Sequence, residues 1–292
     1  MMKVLIVGAT GMLGYSLFSN LSDHDNYDVV GTVRNISGKE NFFKDYSDNL
    51  IFGIDISDFS SLEDAIKSTN PDVVINCVGL IKQHDASKQH IDAIEINSLL
   101  PHKLAKVCDD ITAKLIHFST DCVFSGKKGQ YLETDLPDAT DLYGKSKCLG
   151  EVNYGRHLTL RTSIIGHELN SSISLVDWFL SQEQPVNGFT KAIFSGLPTC
   201  YIAHVLSDII LPDKELSGLY QLSVEPIDKY NLLSLVAKYY DKNILLHKSE
   251  DLVIDRSLDS SLLRNRTGYS VPNWDLLIKY MHEDYKKRYS ND

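Results

Sequence analysis

The chain has 292 residues, 43% of them hydrophobic and 23% charged, which is enough for one large domain or two small ones with a substantial core. A formal net charge of −10 argues against nucleic acid or an anionic membrane as partner, and no apolar run is long enough to span a bilayer. Five scattered cysteines, Cys77, Cys108, Cys122, Cys148 and Cys200, form no CxxC pair and are odd in number, so a reducing, cytoplasmic setting is expected rather than a disulfide framework. The ten histidines show no metal-ligand spacing, and no metal is expected. Met1-Met2-Lys3 leads directly into VLIVG, too short an apolar run before glycine for a signal peptide.

In chain order, residues 3–8, 28–33, 49–54, 72–77, 114–119 and 158–163 are short runs rich in β-branched residues and leucine. Most are apolar on both faces, as strands of a buried parallel sheet are. Helical patterns lie at 12–22, at 59–69 behind an Asp58 or Ser60 cap, at 91–109, and from Tyr143 to Val152. In the third of these, Ile91, Ile94, Leu99, Leu104 and Val107 fall at roughly helical spacing. Strand–helix–strand repetition predicts an α/β fold: a Rossmann-type doubly wound parallel sheet with right-handed crossovers.

Beyond about residue 165 the alternation loosens. Helices at 174–182, 201–210, 228–240 and 274–289, with short strands at 191–196, 218–223 and 243–248, predict a smaller α/β lobe. The expected division is a nucleotide-binding domain over 1–165 and a substrate lobe over 166–292, with chain crossings between them. Trp178 and Trp274 sit among apolar neighbours and read as core, and the polar residues 284–292 are expected to fray.

The stretch VLIVGATGMLGYSL places Gly8, Gly11 and Gly14 between a strand and a helix. Glycine removes the Cβ where backbone must pass close to a pyrophosphate, and a helix N-terminus offers unpaired N–H groups to it. The expected dinucleotide loop comprises Gly8, Thr10, Gly11, Met12, Leu13 and Gly14. The second strand ends in Arg34 with no carboxylate after it, which favours NADP(H), its 2′-phosphate on the guanidinium, over NAD(H). A solvated surface arginine is the alternative. Asp55 and Ile56 follow the third strand, where they would border an adenine. Cys77, Val78 and Gly79 follow the fourth, where glycine lets a cofactor lie flat. Ordinary loop chemistry is the alternative for both segments.

Tyr143 and Lys147 are one turn apart on a helix face. Tyrosine is a poor base at neutral pH, and a nearby ammonium lowers its pKa, so the pair can pass a proton to or from a carbonyl or alcohol oxygen. Two surface residues on a helix would show the same spacing.

GATGMLG, DVVINCVG, STDCVFSG, LYGKSKCLGE and LRTSIIG occur in this order over residues 3–166, and FSGLPT follows at 194–199. The chain resembles the extended short-chain dehydrogenase/reductases, and within them the dTDP-4-dehydrorhamnose reductase branch. The resemblance implies an NAD(P)H-dependent reductase of a nucleotide-diphosphate-linked keto-deoxysugar, serving surface-polysaccharide precursors, and a homodimer. It implies Thr120 on the substrate's keto oxygen, Tyr143 as proton donor, Lys147 on the nicotinamide ribose and Ser163 near the nicotinamide amide. Dehydratases of the superfamily carry an Asp–Glu pair where this chain has Asp121-Cys122, which disfavours dehydration. Rhamnose-type reductases usually have tyrosine at 122 and tryptophan at 164. Cys122 and Ile164, which would flank the sugar, leave its identity open.

Two further functions fit the resemblance. In an epimerase-reductase of the superfamily a cysteine and a histidine exchange protons beside the carbonyl, and Cys122 and His167 fall near those places. A cysteine packed as a small hydrophobe is the plainer reading. The branch also includes a non-catalytic partner of methionine adenosyltransferase, so a cofactor-binding regulatory subunit is the third reading. Lys82 and His84, in a polar loop, are candidates to touch a diphosphate. Arg161 could pair internally or meet substrate. Arg256, Arg264 and Arg266 could meet a diphosphate or form surface ion pairs.

Overall fold

The computed structural model describes residues 1–80 and 89–290. Strands β1 (Met2–Val7), β2 (Tyr27–Thr32), β3 (Leu50–Ile51), β4 (Val73–Asn76), β5 (Lys114–Thr120) and β6 (Leu158–Thr162) pair in parallel in the order β3-β2-β1-β4-β5-β6. Gly218–Gln221 returns to the edge of this sheet as a seventh parallel strand beside β6. Every residue of β4 and β5 is buried, the mark of strands covered on both faces. Strand order reverses between β1 and β4, and ligands of such sheets bind at that switch, beyond the carboxyl ends of the strands.

Alternate residues of β1 serve two cores. Val4 and Ile6 pack with Leu17, Phe18 and Leu21 of helix α1 (Met12–Ser22), in a core that continues into the C-terminal helices Thr199–Val205 and Trp274–Arg288. Leu5 and Val7 pack on the other face, where the core continues through Leu62 and Ile66 to Leu104 and Cys108. Each large side chain fully buried there contributes roughly 1.5–3 kcal/mol relative to exposure. The remaining helices of this half are α2 (Glu40–Phe43), α3 (Phe59–Thr69), α4 (His90–Asp92), α5 (Leu100–Asp110) and α6 (Leu142–Leu149). Asp58 caps α3 by accepting from Ser60 N, and Asn70 closes it in the left-handed conformation at φ 46°.

One expectation is refined and two are corrected. Residues 91–109 are helical, but Ile91, Ile94 and Leu99 face solvent while Leu104 and Val107 are buried. A wide i→i+5 turn over Ala93–Leu99 shifts the register, so the two ends present different faces. Trp178 is 38% exposed, because Val176 and Phe179 take the inner face of its helix; Trp274 is buried. Residues 284–288 do not fray: Arg288 is bound to Asp284 at 2.8 Å and to Asp23, and Asn20 donates to Asp284 at 3.1 Å, which ties the last helix to α1.

Residues beyond 166 also form a small three-stranded sheet. Ala192–Phe194 lies in the middle, with Ile227–Asp228 antiparallel on one side and Ile254–Asp255 parallel on the other. None of the described helices is long and apolar enough to cross a membrane.

Candidate active site

The three glycines of the first turn answer to different needs. Gly8 has φ +87°, and a Cβ there would lie 2.6 Å from Val78 Cγ2. A Cβ on Gly14 would lie 2.0 Å from Gly8 O, so the turn closes only around glycine. Gly11 has φ −81°, and the nearest protein atom to its absent Cβ is 3.7 Å away. Neither conformation nor packing requires glycine at 11, and its bare backbone leaves room for close approach there. The same residue begins α1 without a side-chain cap, and no acid lies in the first turn. The helix start therefore presents the N–H groups of Met12 and Leu13 and its positive end, the features that suit an anion. Thr32 fixes the turn from β2 through Oγ1, which accepts from Gly8 N at 3.1 Å.

A cleft of about 260 Å³ opens beside this turn, lined among others by Gly8, Thr10, Arg34, Lys39 and Ile56. Arg34 is exposed, and its Nε lies 3.2 Å from Asp55 Oδ2. Asp55 therefore orients the guanidinium, while hydrogen bonds from Ser57 and then the charge of Arg34 hold its carboxyl below the usual range. Lys39 is a second cation in the cleft that sequence reasoning missed. Val78 packs on Gly8, and a Cβ on exposed Gly79 would lie 3.8 Å from Lys147 Nζ, so the β4 terminus reaches from the glycine turn to Lys147. Cys77 packs against the core, and burial pushes its thiol far up.

Thr120 ends β5, and Tyr143 and Lys147 lie on α6. Asp141 caps α6 by accepting from Gly144 N at 2.8 Å. A Cβ on Gly144 would lie 2.2 Å from Cys122 O, so only glycine lets α6 approach the turn after β5 and bring Tyr143 to Thr120. Lys147 is buried and donates to Phe118 O at 2.7 Å. Burial lowers its pKa to about 8, with Glu151 opposing.

The Tyr143 hydroxyl differs from expectation. Burial raises its pKa strongly, the neighbouring Cys122 adds to the rise, and hydrogen bonding with Thr120 pulls it down. Lys147 is committed to the Phe118 carbonyl, and the acids Asp121 and Asp141 add to the negative field around the phenol. Tyr143 thus stays protonated at neutral pH, as a proton donor must. A reaction that needs Lys147 as an ammonium would have an upper pH limit set by it. We expect kcat/KM to fall above about pH 8 and K147M to flatten the profile, as measured between pH 6 and 10. A wild-type profile level through pH 9 would contradict this.

Asp121 is buried, its carboxyl raised by burial and opposed by the nearby Arg256 guanidinium, with hydrogen bonds from Cys122, Thr120 and Ser163. Ser163 is thereby placed at the same turn. Ile164 pairs with Leu197 and packs partly into the core. The Cys122–His167 pairing is corrected. His167 is buried, with Nδ1 2.5 Å from Asp177 and Nε2 2.8 Å from the Tyr240 hydroxyl, so both ring nitrogens are engaged. Arg256 lies beside Cys122, its Nη1 3.7 Å from the sulfur, yet burial pushes the thiol up to about 12. His167 lines a separate concavity of about 370 Å³ with Phe42, Tyr285 and Tyr289.

Arg161 is internal, bound through Nε and Nη2 to Glu151 at 2.7 and 2.8 Å. Arg264 and Arg266 pair with Asp259 and Asp213. Lys82 and His84 lie outside the described residues. Asn97 was not foreseen: its amide accepts from Leu80 N at 2.8 Å and donates to Ser146 Oγ at 3.2 Å, fixing the segment after Gly79 against α6. No sequence motif marks it.

A doubly wound sheet with a glycine turn at its switch and a Thr–Tyr–Lys set beyond β5 defines an extended short-chain dehydrogenase/reductase. The family model described as "RmlD substrate binding domain" matches residues 2–232, and the chain belongs to that family. Among curated proteins it is 27% identical to a dTDP-4-dehydrorhamnose reductase of Aggregatibacter actinomycetemcomitans, over 77% of this chain and 74% of that one. It is 26% identical to methionine adenosyltransferase 2 subunit beta of Danio rerio, over 82% of this chain and 74% of that one. Among solved structures, a dTDP-4-dehydrorhamnose reductase of Bacillus anthracis in complex with NADP superposes with TM-score 0.79 at 21% identity, covering 97% of this chain and 99% of that one.

Proposed function

We propose that the protein is an NADPH-preferring reductase of a nucleotide-linked keto-deoxysugar, acting in the cytoplasm as a homodimer in the supply of surface-polysaccharide precursors. The observation that carries this reading is the meeting of Thr120, Tyr143 and Lys147 beside Gly79 and the glycine turn. Reductase relatives, the bare Gly11 and the Arg34–Asp55 pair support it. Five free cysteines fit the compartment, and the exposed Ile91, Ile94 and Leu99 fit an interface between copies.

When bound, the reduced nicotinamide supplies the hydrogen and electron pair that the carbonyl carbon gains. The chain does the rest. Met12 and Leu13 N–H groups hold the pyrophosphate, Arg34 the 2′-phosphate, and Lys147 the ribose beside Gly79. Thr120 and Tyr143 hold the carbonyl oxygen, and Tyr143 gives it a proton. The carbonyl end is enclosed by Asp121, Cys122 and Ser163.

The test is consumption of NADPH and NADH with a panel of nucleotide-linked ketosugars. We expect turnover with at least one sugar and a preference for NADPH. R34A should weaken NADPH binding about 10–100-fold, the scale of a charge-assisted contact, and leave NADH within about twofold. A variant that weakens both equally would remove the 2′-phosphate assignment.

A second reading is a non-catalytic regulatory subunit, favoured by the likeness to the methionine adenosyltransferase beta subunit. It predicts cofactor binding without turnover on any ketosugar. The complete Thr–Tyr–Lys set favours the enzyme.

A further inference from the structure

Two cations from the second half of the chain converge on the turn after β5. The small sheet explains how. Asp228 and Asp255 both lie in register with Ile193, one on each side of it, and the next residues are Lys229 and Arg256. The segment after Ile254–Asp255 is zipped onto the turn that follows β5: Asp255 N donates to Gly126 O at 2.9 Å and Tyr131 N to Ser257 O at 2.9 Å. Lys229 begins the helix Lys229–Tyr239, whose start is fixed by Asp228 accepting from Asn231 N at 2.9 Å. Lys229 is part-buried, and its charge faces Asp121, Cys122 and Arg256.

The charges there do not balance. Arg256 is committed, with Nε donating to Phe124 O at 2.9 Å and Nη1 lying on Cys122 Sγ. Asp121 lies near both cations and already receives hydrogen bonds from Cys122, Thr120 and Ser163. The flanking acids are turned elsewhere: Asp228 caps its helix, and Asp255 accepts from Ser257 N and lies against Gly129. Among the described residues, the Lys229 ammonium has no hydrogen-bond acceptor. A partly desolvated cation with no acceptor among the described residues, beside Asp121 and Cys122, leaves its N–H groups open to an oxyanion of a bound ligand.

We propose that Lys229 is a substrate-specificity residue that holds an oxyanion at the sugar end of the site. The proposal rests on the reductase reading for its substrate. The oxyanion is either a phosphate oxygen next to the sugar or a carboxylate carried on the sugar. Arg256 positions the turn, and Lys229 makes the contact.

The test is calorimetric titration of the full chain, wild type, K229M and K229R, with UMP, UDP, UDP-glucose and UDP-glucuronate, and with dTMP and dTDP. Thermal unfolding verifies that each variant folds, and NADPH is titrated in parallel. We expect K229M to weaken the anion-bearing probe at least tenfold, K229R to stay within about threefold of wild type, and NADPH affinity to be unchanged. Loss shared by UDP, dTDP and UDP-glucose but not by the monophosphates identifies a phosphate. Loss confined to UDP-glucuronate identifies a sugar carboxylate. Equal affinities of wild type and K229M for every probe would overturn the proposal, as would a wild type that binds none of them. Binding dependent on Lys229 in a wild type that reduces no ketosugar would sink the reductase reading and leave the oxyanion site standing.

Discussion

Replacing Tyr143 by phenylalanine is expected to lower kcat by roughly 10²–10⁴-fold, the contribution of a positioned proton donor, while NADPH binding stays within about twofold. The separation follows from the geometry. The tyrosine ring occupies the same volume in both proteins, and the glycine turn and Arg34 lie on other elements. The hydroxyl is the group in hydrogen-bond contact with Thr120 and beside Cys122. Its raised pKa means that the wild type holds the proton at neutral pH, so the variant loses the donor itself and not a fraction of it. Steady-state kinetics with the best ketosugar, together with a cofactor titration, checks both halves. Loss of NADPH affinity equal to the loss of turnover would mean that Tyr143 packs the cofactor and donates nothing.

The second large effect separates two glycines three residues apart. Gly14→Ala should destabilise the fold, because the new methyl would sit 2.0 Å from a backbone oxygen that only a shift of the strand–helix turn can move. Overpacking of this kind costs about 1–3 kcal/mol or more, and the distorted turn should also lose NADPH. Gly11→Ala should leave thermal unfolding within a degree or two, because its Cβ meets nothing nearer than 3.7 Å and its φ of −81° suits alanine. It should nonetheless weaken NADPH binding at least tenfold by occupying the space of the pyrophosphate. Unfolding curves with and without NADPH read both quantities. A Gly11→Ala protein that binds NADPH normally would show that the bare position serves no dinucleotide.

The contrast shows where sequence suffices. Strand β4 is legible because all four residues are buried and the run Val73-Val74-Ile75 is unbroken and apolar. The turn is legible because glycine at 8 and 14 is forced by backbone sterics. Tyr143 and Lys147 are legible because one helical turn brings them to one face.

Arg256 and Lys229 are not legible as a pair. They follow strands that meet only across Ile193, and nothing local distinguishes them from surface cations. Asn97 is hidden because its work, holding Leu80 against Ser146, joins three elements distant in sequence. The order at residues 284–288 is hidden for the same reason: their acceptors are Asp23 and Asn20, more than 260 residues away. Sequence pattern also misjudged the phenol, because burial outweighs a lysine that has turned to a backbone carbonyl.

The central claim is that the glycine turn and the Thr120–Tyr143–Lys147 set form one redox site. A single turnover of the wild type with NADPH carrying deuterium at C4 of the dihydronicotinamide, followed by mass analysis of the recovered sugar, tests it most directly. The account predicts one deuterium on the former carbonyl carbon, and none with the Tyr143→Phe protein over the same interval. Cofactor and ketosugar both bound, with the label retained on the cofactor after many expected turnovers, would contradict it.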